Sequence, residues 1–161
     1  MRILFASLAL IFCLGGSSRS ETNNVPVDFK LTAQYGPGFS DWKPWKLTVT
    51  ADGKVTQDTY TFPKGKQTIE QKSFTLTKED VQQLVKKVRD AEFYRLGNDY
   101  WYNVTDNPIL IIRVTMNGKS SEVAVYAPDH QKDKDEVKRF LTVWNEVLKK
   151  VPPPNPDQRP E

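Results

Sequence analysis

Residues 108–126 read PILIIRVTMNGKSSEVAVY, and this stretch decides the fold. Asn117-Gly118 suits a two-residue type I′ turn, in which both central residues need positive φ. Pairing Met116 with Lys119 sets every other contact. Leu110 then faces Val125, Ile112 faces Val123, and Arg113 faces Glu122. The first two pairs share one face and the charged pair lies on the other. A slip of one residue would spoil all three matches, so the hydrophobic pattern specifies the register.

Working outward, a second hairpin precedes it. In WKLTVTADGKVTQDTYTF (residues 45–62), Asp52-Gly53 separates two β-rich runs. A two-residue turn would set Thr50 opposite Val55. A type I turn with Gly53 as a bulge sets Val49 opposite Val55 and pairs apolar with apolar, and this second register is the expected one. Upstream, VDFKLTAQY (27–35) alternates Val27, Phe29, Leu31, Ala33 and Tyr35 with polar residues, a strand with one buried face. A weaker strand covers about 69–76.

Two helices complete the pattern. The first opens with Thr77 as cap and Asp80 three residues on, with Leu76 and Val81 at the staple positions. Val81, Leu84, Val85 and Val88 form one apolar stripe. The second spans about 134–150 with Val137, Phe140, Leu141, Trp144, Leu148 and Val151 as its stripe. Asp133 or Asp135 is the expected cap, and Lys149 and Lys150 suit the negative end of the helix dipole. The element order β-β-β-β-α-β-β-α predicts an α+β fold: a two-layer sandwich with a mostly antiparallel sheet of about six strands and two helices on one face.

The chain has 161 residues and a formal net charge of +3. Met1-Arg2, the apolar run Ile3–Leu14 and the small-residue stretch GGSSRS read as a secretory signal peptide over 1–20, with cleavage expected after Ser18 or Ser20. The run is shorter than the roughly 18–20 residues that span a bilayer. An uncleaved N-terminal anchor is the alternative. Cys13 follows bulky Phe12, which a lipidation site disfavours. Expected localisation is therefore secreted or periplasmic, with no stable membrane span after the signal is removed.

Loss of residues 1–20 removes Arg2, Arg19 and no acid, leaving a charge of +1. That balance argues against a nucleic-acid partner, which needs a clustered basic face. The only cysteine leaves too, so no disulfide, thiol nucleophile or cysteine metal site is expected. One domain is expected over 27–151, and PPPNPDQRPE (152–161) reads as a Pro-rich disordered tail.

Residues able to carry chemistry are few. His130, the one histidine, lies in the charged loop APDHQKDKDE and reads as solvated rather than catalytic. One histidine without cysteines excludes the usual zinc centres. Asp99 and Asp106 have no EF-hand spacing for calcium. They form the carboxylate pair of the alternative reading, a small hydrolase. No Gly-rich phosphate loop is present, and no cofactor is expected. Asn103-Val104-Thr105 fits a glycosylation sequon.

The aromatics remain. GPGFSDWKPWK (36–46) holds Phe39, Trp42 and Trp45; DYWYNVTDNP (99–108) holds Tyr100, Trp101 and Tyr102. Trp and Tyr supply rigid contact area at low entropic cost. If the chain is extended here, Trp101 turns inward and Tyr100 and Tyr102 partly outward. Trp42, Trp45, Tyr100 and Tyr102 are the expected ligand contacts, with Asp106 shaping the loop. The expected function is a non-catalytic binding module for a protein, peptide or envelope glycan. A further alternative is a structural or inhibitory partner that docks on an edge strand, 27–35 or 119–126.

Taken together, GPGFSDWKPWKLTVTADGKV, the capped helix ending in AEFYRL, DYWYNVTDNP before an apolar strand, and NGK before VAVY resemble a family of exported bacterial domains of unknown function. The resemblance covers about Gly36 to Val151. Its most specific parts are Asp52-Gly53, Phe93, Tyr100 and Thr105-Asp106 with Pro108. Relatives often carry two cysteines in the segment matching Gly38 to Pro44, where this chain has none. The resemblance implies export and an α+β domain; it implies no reaction and no catalytic residue.

Overall fold

The computed structural model describes residues 24–38 and 43–154. The expected signal peptide lies outside them. Seven strands and two helices follow one another: β1 (Lys30–Gly36), β2 (Trp45–Thr50), β3 (Lys54–Thr61), β4 (Thr68–Thr75), α1 (Lys78–Asp90), β5 (Asp99–Tyr100), β6 (Ile109–Met116), β7 (Lys119–Tyr126) and α2 (Asp135–Lys150). They form one sheet in the order β4-β3-β2-β1-β6-β7-β5. Every pairing is antiparallel except β5 with β7, so the fold is α+β.

The sheet has seven strands rather than about six. The additional one, β5, is two residues long and pairs Asp99 with Ala124 and Tyr100 with Val125. Its anchor is the Ala124 amide, which donates to the Asn98 carbonyl at 2.8 Å. So short a strand carries no period for sequence to reveal.

Both hairpin registers are as the sequence predicts. Met116 pairs with Lys119, Leu110 with Val125, Ile112 with Val123 and Arg113 with Glu122. Asn117 and Gly118 take φ of +54° and +70°. In the first hairpin Val49 pairs with Val55, and Gly53 sits at φ +82°. A Cβ there would lie 2.5 Å from the Leu76 carbonyl oxygen, so glycine is required twice over.

Strand alternation sorts the core. Leu31, Ala33 and Tyr35 of β1 stand beside Val49, Leu47 and Trp45 of β2 and beside Val114, Ile112 and Leu110 of β6. All nine are buried, in one cluster with Val81, Leu84, Val85 and Val88 of α1 and Val137, Phe140 and Trp144 of α2. Both helices thus cover the same sheet face. On α2 the buried stripe is broader than expected, adding Val143 and Val147, while Leu141 is only partly buried.

Caps and ends show three further differences. Thr77 caps α1 as expected, its Oγ1 accepting from the Asp80 amide at 3.1 Å. Neither Asp133 nor Asp135 caps α2; Lys134 occupies the cap position without a side-chain bond. The chain turns before β1, with the Phe29 amide donating to Pro26 O at 3.0 Å, so Val27 is exposed and outside the strand. The Pro-rich segment is packed at its start: Gln57 Nε2 donates to Pro152 O at 3.0 Å, and Pro153 is buried. Residues 155–161 lie outside the described residues.

Candidate ligand-binding face

Alternation that turns Val123 and Val125 toward the helices turns Glu122, Ala124 and Tyr126 of β7 to the opposite, open face. Their β6 partners Arg113, Ile111 and Ile109 share that face. So do Thr32 and Gln34 of β1 and Lys46 and Thr48 of β2. The twisted sheet makes this face concave, with a trough of about 400 Å³. Lys30, Lys46 and Arg113 bring positive charge to its walls. Arg113 is paired to Glu122 at 2.5 Å, and Thr32 and Thr48 share a hydroxyl contact of 3.4 Å on its floor.

An aromatic wall adjoins this face at the Tyr126 end. Trp101 stacks on Tyr126 with ring centres 4.1 Å apart and an 11° interplanar angle. Tyr102 stacks on His130 at 5.1 Å and 9°. The outer rings are open to solvent, Trp101 65% exposed and Tyr102 40%.

Hydrogen bonds hold the wall rigid. The Tyr126 hydroxyl donates to Val104 O at 3.0 Å and accepts from the Asn107 amide at 3.3 Å. Buried Gln131 donates through Nε2 to Tyr126 O at 2.7 Å and to Tyr100 O at 3.1 Å. Lys134 Nζ donates in turn to Gln131 Oε1 at 2.9 Å. Asp106 sits at φ +62°, a left-handed turn that aspartate tolerates better than most residues. Its neighbour Asn107 closes the turn on Thr105 O at 2.7 Å.

The predicted contacts divide. Tyr102 is exposed, and Asp106 is exposed in the turn it was expected to shape. Tyr100 is half-buried, and its hydroxyl accepts from the Gly97 amide at 2.9 Å. Trp42 lies outside the described residues. Trp45 corrects the expectation of an exposed ring: it is 1% exposed in β2, stacked between Tyr35 at 5.9 Å and Trp144 at 5.5 Å. Burial also pushes the Tyr35 hydroxyl up to about 12, so it stays protonated. Trp101 is the opposite correction, outward rather than inward. β5 ends at Tyr100, so strand alternation does not extend to Trp101, and Tyr126 offers its ring on the open face.

Tyr126 and the trough escaped the sequence reading. Their signal was the outward set of the second hairpin, which its register already placed on one face. The edge strands differ too. β1 is the central strand, so it is no edge; β5 covers β7 only at Ala124 and Val125, so β4 forms one edge and β5 with the remainder of β7 the other.

Among the described residues no three His, Cys, Asp or Glu side chains converge to hold a metal, and no helix is long and apolar enough to cross a membrane. Asp99 and Asp106 are both exposed, and neither lines the trough. No curated protein matches the chain. A family model described as a domain of unknown function (DUF6438) matches residues 30–148, which take in both hairpins, α1 and all but the last two residues of α2. The chain therefore belongs to this uncharacterised family.

Proposed function

We propose that the protein is an exported, non-catalytic binding module that holds a segment of envelope glycan against its open sheet face. The observation that carries this reading is Trp101, 65% exposed and stacked on Tyr126, which shares its sheet face with a polar trough. A flat indole face takes the apolar face of a sugar ring, and hydroxyl, amide and cationic side chains bond its rim. Gln34, Thr48 and Ser120 line the trough as donors and acceptors, and Lys30 and Lys46 suit acidic substituents. Tyr102 extends the aromatic wall, and Asp106 fixes the turn behind it.

Titration of the purified protein with cell-wall glycan fragments, followed by calorimetry, tests this. Binding is expected, and Trp101→Ala is expected to weaken it by about ten- to a hundredfold, since removal of one stacked aromatic contact costs ~1–3 kcal/mol. Melting temperature should be unchanged. No heat with glycans, or equal binding by Trp101→Ala, overturns the reading. Binding only to unmodified peptides would favour a peptide ligand on the same face. A hydrolytic role for Asp99 and Asp106 predicts fragment cleavage, which the same samples report by mass spectrometry.

A further inference from the structure

Strand β4 is exposed at all eight positions, and its outer edge carries no strand among the described residues. Exposed edges of this length invite another strand. Its register with β3 puts Thr68, Glu70, Lys72 and Phe74 on one face, opposite Thr61, Thr59, Gln57 and Val55. Ile69, Gln71 and Ser73 lie on the other. Phe62, Ile69 and Phe74 are half of the exposed large apolar side chains among the described residues, and all three sit on this ribbon.

We propose that β4 pairs antiparallel with β4 of a second copy of this chain, about a two-fold axis through Gln71. Charge complementarity selects that register. Directly opposed residues in an antiparallel pair share a face, so the axis must pass through a residue rather than between two. Through Glu70 it opposes Glu70 to itself; through Lys72 it opposes Lys72 to itself. Through Gln71 it sets Glu70 against the partner's Lys72 at both ends, and Phe74 against the partner's Thr68. Within one chain the two side chains form an exposed ion pair, 3.4 Å apart and each 63% exposed, which pairing across the axis extends to a four-membered charge cluster. Glu70 and Lys72 therefore each repel one of the two adjacent registers and together favour the one through Gln71, as edge charges do against unwanted partners. The product is one continuous sheet across two molecules, held mainly by backbone hydrogen bonds. An interface this narrow belongs to the weak, reversible class.

Sedimentation of the purified chain up to millimolar concentration, with hydrogen exchange of the β4 amides, tests the pairing. A reversible dimer that weakens at high salt and protects β4 is expected. Glu70→Lys and Lys72→Glu should each weaken it by about tenfold or more, since each replaces two attractive cross-strand pairs with two repulsive ones. Mixing the two variants should restore a heterodimer, and E70K/K72E together should restore the homodimer. Circular dichroism checks that each variant folds, which the exposure of both sites favours. A wild type monomeric throughout, dimers indifferent to either reversal, or no rescue on mixing would each overturn the proposal.

Discussion

The two ends of the sheet are built differently. At the β1-β6-β7 end the inner face is covered, and Ile112, Val114, Val123 and Val125 are fully buried. Past β3, whose inward Val55, Gln57 and Thr59 are still buried, cover runs out. Val55 is fully buried, but Phe74 beside it is 39% exposed, and no residue of β4 is buried. The terminal strands match this. β5 is two residues long and tied through Gln131 to the start of α2, whereas β4 presents a long open margin. Burial at the first end is expected to supply more of the domain's stability than β4 does.

Four substitutions test and sharpen that division. The largest effect is expected from Phe140→Ala, which empties a fully buried ring position in α2 stacked against Trp144. A loss of about 3–5 kcal/mol is expected by chemical denaturation. Phe74→Ala in β4 should stay within about 0.5 kcal/mol under dilute conditions. Equal losses at the two sites would break the comparison.

Gln131→Leu comes next. It keeps the volume but leaves the Tyr100 and Tyr126 carbonyls without their shared donor, at a cost of about 1–3 kcal/mol. Hydrogen exchange should rise at the Ala124 amide, which bonds the residue preceding β5. An unchanged exchange rate there would mean that β5 holds without the glutamine.

The smallest effect concerns pH. Asp28 accepts the Asn117 amide at 2.9 Å and the Gly118 amide at 2.6 Å, closing the tip of the β6–β7 hairpin. Those bonds, Gly118 first, hold its carboxyl below the ordinary 3.8. The ionised form is thus favoured by folding. Its contribution is present above pH 3.8 and is lost as pH falls through the lower, folded value. Asp28→Asn should flatten the decline in melting temperature across that acid window and leave a small deficit at neutral pH. A parallel acid profile in the variant would show that the turn bonds do not depend on charge.

Sequence made the hairpins and helices legible because each rests on local periodicity. Arg113 opposite Glu122 and Thr77 capping α1 could be placed from neighbours alone. Trp45 was legible in principle: it stands two and four residues before Leu47 and Val49, so strand alternation turns it inward with them. Trp101 was not, because its orientation depends on Tyr126, brought near by the sheet rather than by spacing. The bare β4 was also hidden. Ile69 and Phe74 are five apart and fall on opposite faces, so neither face reads as wholly polar. The concave face needed both the twist and the strand order, and β1 between β2 and β6 follows from no local motif.

That central position of β1 governs the order in which the molecule can assemble. Lys30 lies opposite Thr115, and Tyr35 opposite Leu110, so the middle of the sheet closes only when the last hairpin arrives. During synthesis the first four strands emerge with one side of β1 unpaired and no second helix to shelter them. Closure of the sheet therefore waits for the β6–β7 hairpin, and the non-local β1–β6 pairing places folding on the millisecond-to-second scale typical of such topologies.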